Sequence, residues 1–364
     1  MPDKTTQVVD PQLPRSPCLG APMVDLRSDT VTLPTPAMYD RMRTAALGDD
    51  GLDGDPTARA LEVLVAKTLG KASGLYVPTA TMGNLLAVLT QAERQSQVVL
   101  EASAHMLVSE RGGPLFGGVT YTGIPGVAGA MDLEQLTLAL KPSGALRTEL
   151  VCMETTHVNA GGAVLPLDHM EAVWNASRRA GVRVHLDGAR LFNAAVALDV
   201  DPAAIACHAD TVSICLSKGL SAPAGAVLAG PSDTIAHAKR LRKMLGGTQR
   251  QIGVVAAAGL DAVATMAGRL AQDHALASLL SEALRGVLPE SVVVSTPATN
   301  IVFVDLSGAV ADSAAWAEAL EKNGVLIRPW GARRIRLVTH RHIDANAVNT
   351  AAAGFRRAGQ SLLA

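Results

Sequence analysis

The apolar positions of this chain fall into two rhythms. Short apolar runs at 74–78, 98–101, 119–122, 150–154, 182–186, 211–216 and 225–229 are bounded by glycine or polar residues, the pattern of strands. Between them lie stretches with a helical period. Residues 57–70 place Leu61, Leu64, Val65 and Leu69 on one stripe, and 167–180 place Met170, Val173 and Trp174 on one face. Residues 85–89, 132–141 and 190–198 read as further helices. Short buried strands separated by helices predict an α/β fold, with a mostly parallel sheet covered on both faces.

The ends of the chain follow other patterns. Residues 1–22 are rich in proline and read as a mobile extension. Pro34 and Pro36 precede a helix carrying Met38, Met42 and Ala45. An Ala-rich stretch at 251–286 predicts a long helical region that links a large domain to a smaller one. Strand-like runs at 292–294, 300–305, 325–328 and 334–338 surround a helix at 312–322, and a last helix spans 343–358, together a small α+β domain. The expected division is an extension over 1–22, a large domain over 23–255, and a linker helix with a small C-terminal domain over 256–364.

Composition narrows the function. The 364 residues are 48% hydrophobic and carry a formal charge of −1, so no global field favours nucleic acid or an anionic membrane. Cys18, Cys152, Cys207 and Cys215 show no metal-binding or redox spacing, and Cys152 and Cys215 lie in strand-like runs as small core residues. With no signal-peptide pattern and no apolar run of spanning length, the expected location is the cytoplasm. Four aspartates between Gly48 and Pro56 miss the spacing of a calcium loop, so a solvated acidic loop is expected, with an aspartate or Thr57 capping the next helix, and no metal. The basic segment 239–250 reads as a solvated helix end, or as a phosphate or subunit contact.

Two runs carry chemistry. Residues 211–216 lead to Lys218 and Gly219, and 182–186 lead to Asp187, Gly188 and Arg190. As neighbouring parallel strands they bring an amine and a carboxylate to the carboxyl edge of the sheet, where open α/β sheets bind ligands. An amine for a Schiff base and an acid for a pyridinium nitrogen are the protein's half of pyridoxal phosphate chemistry. The turn Thr79-Ala80-Thr81-Met82-Gly83-Asn84 opens a helix and suits a phosphate. His105, just past a strand, belongs to the same edge. Taken singly, these residues also read as a salt bridge, an ordinary helix cap and a core histidine.

Taken in order, the motifs resemble the L-threonine aldolases of the β-eliminating-lyase family, within the fold-type I (aspartate-aminotransferase-like) pyridoxal phosphate enzymes. The resemblance rests on Asp25-Leu-Arg-Ser-Asp-Thr-Val-Thr32, Thr81-Met-Gly-Asn84, Glu154 with Thr156-His157, His185-Leu-Asp-Gly-Ala-Arg-Leu-Phe-Asn193, Cys215-Leu-Ser-Lys-Gly-Leu220, Arg242-Lys-Met-Leu-Gly-Gly247 and Arg336-Leu-Val-Thr-His340. It implies a mostly parallel large domain, a small C-terminal domain, and a homotetramer with active sites shared between subunits. It further implies that Lys218 forms the Schiff base, Asp187 pairs with the ring nitrogen, and His105 stacks on the ring. Arg190 is expected near the phenolic oxygen and the substrate carboxylate. Ala80 and Thr81 are expected to hold the phosphate, and Ser28 and Arg336 the carboxylate. Lys243 and Arg250 are expected to reach the cofactor of a neighbouring subunit. The implied reaction cleaves the Cα–Cβ bond of a small β-hydroxy-α-amino acid to glycine and an aldehyde.

The chain departs from the family at several places. Leu52 and Ser109 stand where the family has tyrosines, Ala80 replaces a glycine, and the stretch 142–147 lacks a family histidine. Smaller groups at 52 and 109 point to a larger substrate side chain, of the phenylserine type. A β-eliminating lyase or dehydratase, and a non-catalytic pyridoxal phosphate-binding protein, are the competing readings.

Overall fold

The computed structural model describes residues 23–141 and 146–362. The expected extension at 1–22, with Cys18, lies outside the described residues. After β1 (Val24–Asp25), α1 (Pro36–Arg43) begins at Thr35, whose side chain accepts the Met38 N–H, with Pro36 at the first helical position. Asp55 caps α2 (Pro56–Thr68) by accepting the N–H groups of Thr57 and Ala58. There follow β2 (Ser73–Val77), α3 (Ala80–Gln91), β3 (Gln97–Glu101), β4 (Thr120–Ile124), a small hairpin of β5 (Gly126–Val127) and β6 (Ala130–Met131), α4 (Leu133–Ala139) and β7 (Thr148–Glu154). Then come α5 (Leu167–Arg179), β8 (Arg183–Gly188), α6 (Leu191–Leu198), a short α7 (Pro202–Ala206), β9 (Thr211–Cys215), β10 (Ala226–Gly230) and α8 (Ser232–Met244).

Seven of these strands form one sheet in the order β2-β10-β9-β8-β7-β3-β4. From β9 to β4 each pair is parallel, as the alternating pattern predicts. β10 is antiparallel to both of its neighbours. The connection explains this: a parallel return needs a crossover of about a dozen residues, usually a helix, whereas Leu216–Gly225 is short and non-helical. Every residue of β9 and β10 is buried, which is why these strands read as continuous rather than alternating apolar runs.

Beyond α8 the chain leaves the sheet. α9 (Gly253–Asp261) and α10 (Leu270–Arg285) replace the single long helical region expected at 251–286, and the two segments are bent by 69°. A π turn at Ala262–Met266 and Gly268 lie at the break, both recognised causes of a kink. β11 (Val293–Val294), β12 (Ile301–Asp305), α11 (Ser313–Lys322), β13 (Val325–Leu326), β14 (Arg328–Pro329), β15 (Arg334–Val338) and α12 (Ala345–Leu362) complete the chain. A four-stranded sheet in the order β11-β12-β15-β14 packs with these helices around Trp316 and Phe355, whose rings lie 5.8 Å apart. β1 pairs with β13, and Leu26 is buried in this second core. The N-terminal segment is thereby fixed, and with it Ser28 and Asp29. No single helix among the described residues is long and apolar enough to cross a membrane.

Two loop readings are corrected by long-range pairing. Asp50 and Asp55 of the acidic loop are buried rather than solvated. In the basic segment Arg242 is buried, donating to the Tyr76 carbonyl at 2.6 Å and to Asp50 at 2.5 Å. Arg242 thus ties α8 to the acidic loop, a structural role that neither reading of 239–250 contained.

Candidate active site

One sheet edge assembles the site. Asp187 lies near the end of β8, Glu154 ends β7, and His105 follows β3. Lys218 follows β9, while α3 starts just past the end of β2. These groups line a cavity of about 480 Å³, closed on its other side by Ser28, Arg328, Trp330 and Arg336. Eight of the ten residues singled out in the sequence meet there: Ser28, Ala80, Thr81, His105, Asp187, Arg190, Lys218 and Arg336. Lys243 and Arg250 do not. Both are exposed, and Arg250 lies 3.3 Å from Asp49.

The lysine is positioned through its backbone. Its carbonyl accepts the Thr32 hydroxyl and the Ser221 N–H, each at 2.8 Å. Ser221 holds a left-handed φ of 65°, a conformation costing a serine about 1–2 kcal/mol. The segment Lys218–Gly225 thus turns tightly and returns along the cavity.

The acid side is built around Asp187, which is 3% exposed. It accepts the Ala189 N–H at 3.1 Å and the Asn84 amide at 3.0 Å. Asn84 also donates to Glu110 at 3.1 Å, and Glu110 in turn meets His105 Nδ1 at 2.9 Å. One polar atom from each of His105, Glu110 and Asp187 lies within 4.8 Å of the other two. The bond to Glu110, against burial, raises the His105 imidazole above its ordinary value. Glu154 accepts the backbone N–H of His105 at 2.6 Å and that of Val158 at 2.8 Å, and burial pushes its carboxyl up.

Spacing alone hid Glu110. The segment Met106–Glu110 is a π turn, and its wide winding brings residues five apart together, so His105 and Glu110 meet. A five-residue His-to-Glu spacing after a strand is the signal that was available. Asn84, Asp29 and Glu154 stand inside the quoted motifs, yet their roles emerge only from the contacts.

The opposite side is cationic. Arg190 grips the buried Asp29 with two bonds, 2.8 and 2.6 Å long. Burial alone would raise the Asp29 carboxyl, but the Arg190 guanidinium outweighs it and holds the group well below the usual range. Arg336 lies 4.1 Å over the Trp330 ring and donates one bond to the Arg27 carbonyl. Its buried Nε finds no partner among the described residues. Burial, then the nearby Arg190 and Arg328, push Arg336 down to about 9. A ligand carboxylate would complete the bonding of Arg336 and offset the repulsion around it.

One end of the cavity is a helix start. Thr79 Oγ1 takes the Met82 N–H and the Thr79 carbonyl takes that of Gly83. Ala80 and Thr81 are left to present first-turn N–H groups at the cavity. Gly83 lets the helix sit this close to the sheet, because a Cβ there would fall 2.6 Å from Ser213 Oγ. Of the two departures that bear on the pocket, Ser109 lines the cavity, whereas Leu52 is 77% exposed and does not line the cavity of its own chain. Of the stretch without the family histidine, Pro142–Ala145 lie outside the described residues.

An amine, a buried carboxylate, an imidazole, helix-start N–H groups and a buried guanidinium with an unmet donor, all lining one cavity, fit pyridoxal phosphate carrying an amino acid. The fold and site define a pyridoxal phosphate-dependent enzyme of fold-type I, a lyase. The family model described as beta-eliminating lyase matches residues 25–309, and the chain belongs to that family. It is 42% identical over 343 residues to low-specificity L-threonine aldolase 1 of Arabidopsis thaliana, covering 92% of this chain and 96% of the relative. Over 338 residues it is 37% identical to the low specificity L-threonine aldolase of Escherichia coli strain K12, covering 92% and 98%. The solved structure of a threonine aldolase from Leishmania major superposes with a TM-score of 0.76 at 18% identity, covering 92% of this chain and 98% of that one, a likeness of fold.

Proposed function

We propose that the chain is an aldolase that cleaves the Cα–Cβ bond of a β-hydroxy-α-amino acid of the threonine type, giving glycine and an aldehyde. The observation that carries this reading is the sharing of one cavity by Lys218, Asp187 and the under-bonded Arg336. The names of the full-length relatives supply the reaction type. Bound pyridoxal phosphate supplies the carbonyl that takes the substrate nitrogen and the ring that withdraws electrons from the breaking bond.

The residues supply holding and orientation. Lys218 anchors the cofactor covalently, and Asp187 holds a proton on the ring nitrogen. The first turn of α3 binds the phosphate, and His105 walls the ring. Arg336 and Ser28 bind the substrate carboxylate. That grip would fix how the substrate's Cα substituents are presented, and so which bond at Cα breaks. The β-hydroxyl proton passes to His105, whose charged form Glu110 favours. Elimination from the same substrate would instead remove the Cα proton and lose the β-hydroxyl as water.

Ser109 favours a second reading of the side-chain pocket. As a small residue on the cavity wall, it leaves room for a substrate of the phenylserine type. Retro-aldol rates on threonine, allo-threonine and phenylserine test both readings. Glycine plus an aldehyde is the expected product, with phenylserine fastest if Ser109 sets the pocket. Ammonia plus a keto acid would contradict aldol cleavage, and a clear preference for threonine would contradict the larger pocket.

The assembly belongs to the same proposal. Lys243 and Arg250 are exposed and away from their own cavity; Met244, next to Lys243, exposes 80% of its surface, and Leu52, in the loop whose Asp49 pairs with Arg250, exposes 77%. These features support a homotetramer in which the segment around α8 meets a neighbouring cavity. Sedimentation velocity is expected to read a tetramer, and a monomer at working concentration would contradict it. A cytoplasmic location is supported by the free thiols of Cys152, Cys207 and Cys215. Cell fractionation that recovers the protein elsewhere would contradict this location.

A further inference from the structure

A buried chain of side chains ends on the two carboxylates of the cavity. Gln91 Nε2 donates to Thr211 Oγ1 at 2.7 Å, and Thr211 Oγ1 lies 2.9 Å from His185 Nδ1. His185 Nε2 lies 3.1 Å from Asn84 Oδ1, and Asn84 Nδ2 reaches both Asp187 and Glu110. All four side chains are buried behind the cavity wall, with Asn84, His185 and Thr211 fully inaccessible.

Counting hydrogens fixes the direction of every bond. Both amide hydrogens of Asn84 go to carboxylates, so its oxygen can only accept, and His185 donates from Nε2. Burial pushes His185 down to about 4, so the ring is neutral. Its Nδ1 therefore accepts, and the Thr211 hydroxyl donates to it. The Thr211 oxygen receives the Gln91 N–H. Each donor points toward the cavity, and such chains strengthen one another.

We propose that Gln91, Thr211, His185 and Asn84 form a positioning relay that holds Asp187 aimed at the ring nitrogen of the bound cofactor and, through Glu110, holds His105 in place. The relay rests on the reading of Asp187 as the ring-nitrogen partner. None of its members lines the cavity. They act by fixing the two carboxylates that Asn84 bridges.

The test uses the holoenzyme and two readouts besides activity. One is the dissociation constant of pyridoxal phosphate. The other is ring-nitrogen protonation, read by nitrogen NMR with ring-labelled cofactor. His185→Leu removes the donor to Asn84, and His185→Gln restores a side-chain N–H. The leucine variant is expected to bind the cofactor about tenfold more weakly, the upper worth of one hydrogen bond between neutral groups. Its ring-nitrogen signal is expected to move toward the unprotonated form. The glutamine variant is expected to recover most of both. Thr211→Val with rescue by Thr211→Ser gives an independent pair if the leucine variant fails to fold. Wild-type behaviour in the leucine or valine variant, or losses as large in the rescue variants, overturns the relay. Asp187→Asn, measured alongside, separates the two claims. If it leaves the ring-nitrogen signal unchanged, the reading of Asp187 fails and takes the relay with it. If it moves the signal while His185→Leu does not, the relay alone fails.

Discussion

His105 owes its character to Glu110. The imidazole is half-exposed and its carboxylate partner nearly buried, with 2.9 Å between them. The bond raises the imidazole, so the stability this pair contributes is fully present below the unfolded histidine value, about 6.5. It is lost as pH rises through the folded value. Glu110→Gln is expected to lower the His105 midpoint, with wild type and variant differing most in stability on the acid side. An NMR titration of the His105 ring checks this, and an unchanged midpoint would remove Glu110 from the account. At this scale the sequence was readable where a motif carried the residue, as for Lys218, Asp187 and Arg190. It was silent on Glu110, because that partner depends on a π turn whose five-residue reach no ordinary helical period reveals.

Among the elements, α3 and α8 show what local pattern conveys and what it omits. The apolar run after Thr79 marks α3, and the hydroxyl-rich turn marks its start. In α8 the same kind of reading treats Arg242 as one basic residue among several. Its partner Asp50 lies 192 residues away, and the Tyr76 carbonyl 166 away. Pairing at such separation leaves no periodic trace, so loop and helix end both looked solvated. Asp50→Ala leaves the guanidinium buried without its counter-charge and is expected to cost about 3–5 kcal/mol, read as a lower midpoint in urea unfolding. Changing Arg242→Met together with Asp50→Ala removes the unpaired charge and is expected to recover part of that loss. A double variant weaker than the sum of the two single changes would contradict a direct pairing.

For the whole molecule, the alternation of short apolar strands and helices gives the large sheet, and the antiparallel β10 follows from a connection too short to hold a crossover helix. The break between α9 and α10 is not visible in an Ala-rich stretch, because alanine favours helix on both sides and only the π turn and Gly268 interrupt it. What the fold achieves is convergence. Five strand ends, one helix start and the small antiparallel sheet meet at one cavity, and Lys218 is the amine among its lining residues. The most direct test of that arrangement is reduction of the holoenzyme with borohydride, followed by peptide mass spectrometry. A phosphopyridoxyl group fixed on Lys218 is the expected result, while the label on any other lysine, or none at all, would contradict the account.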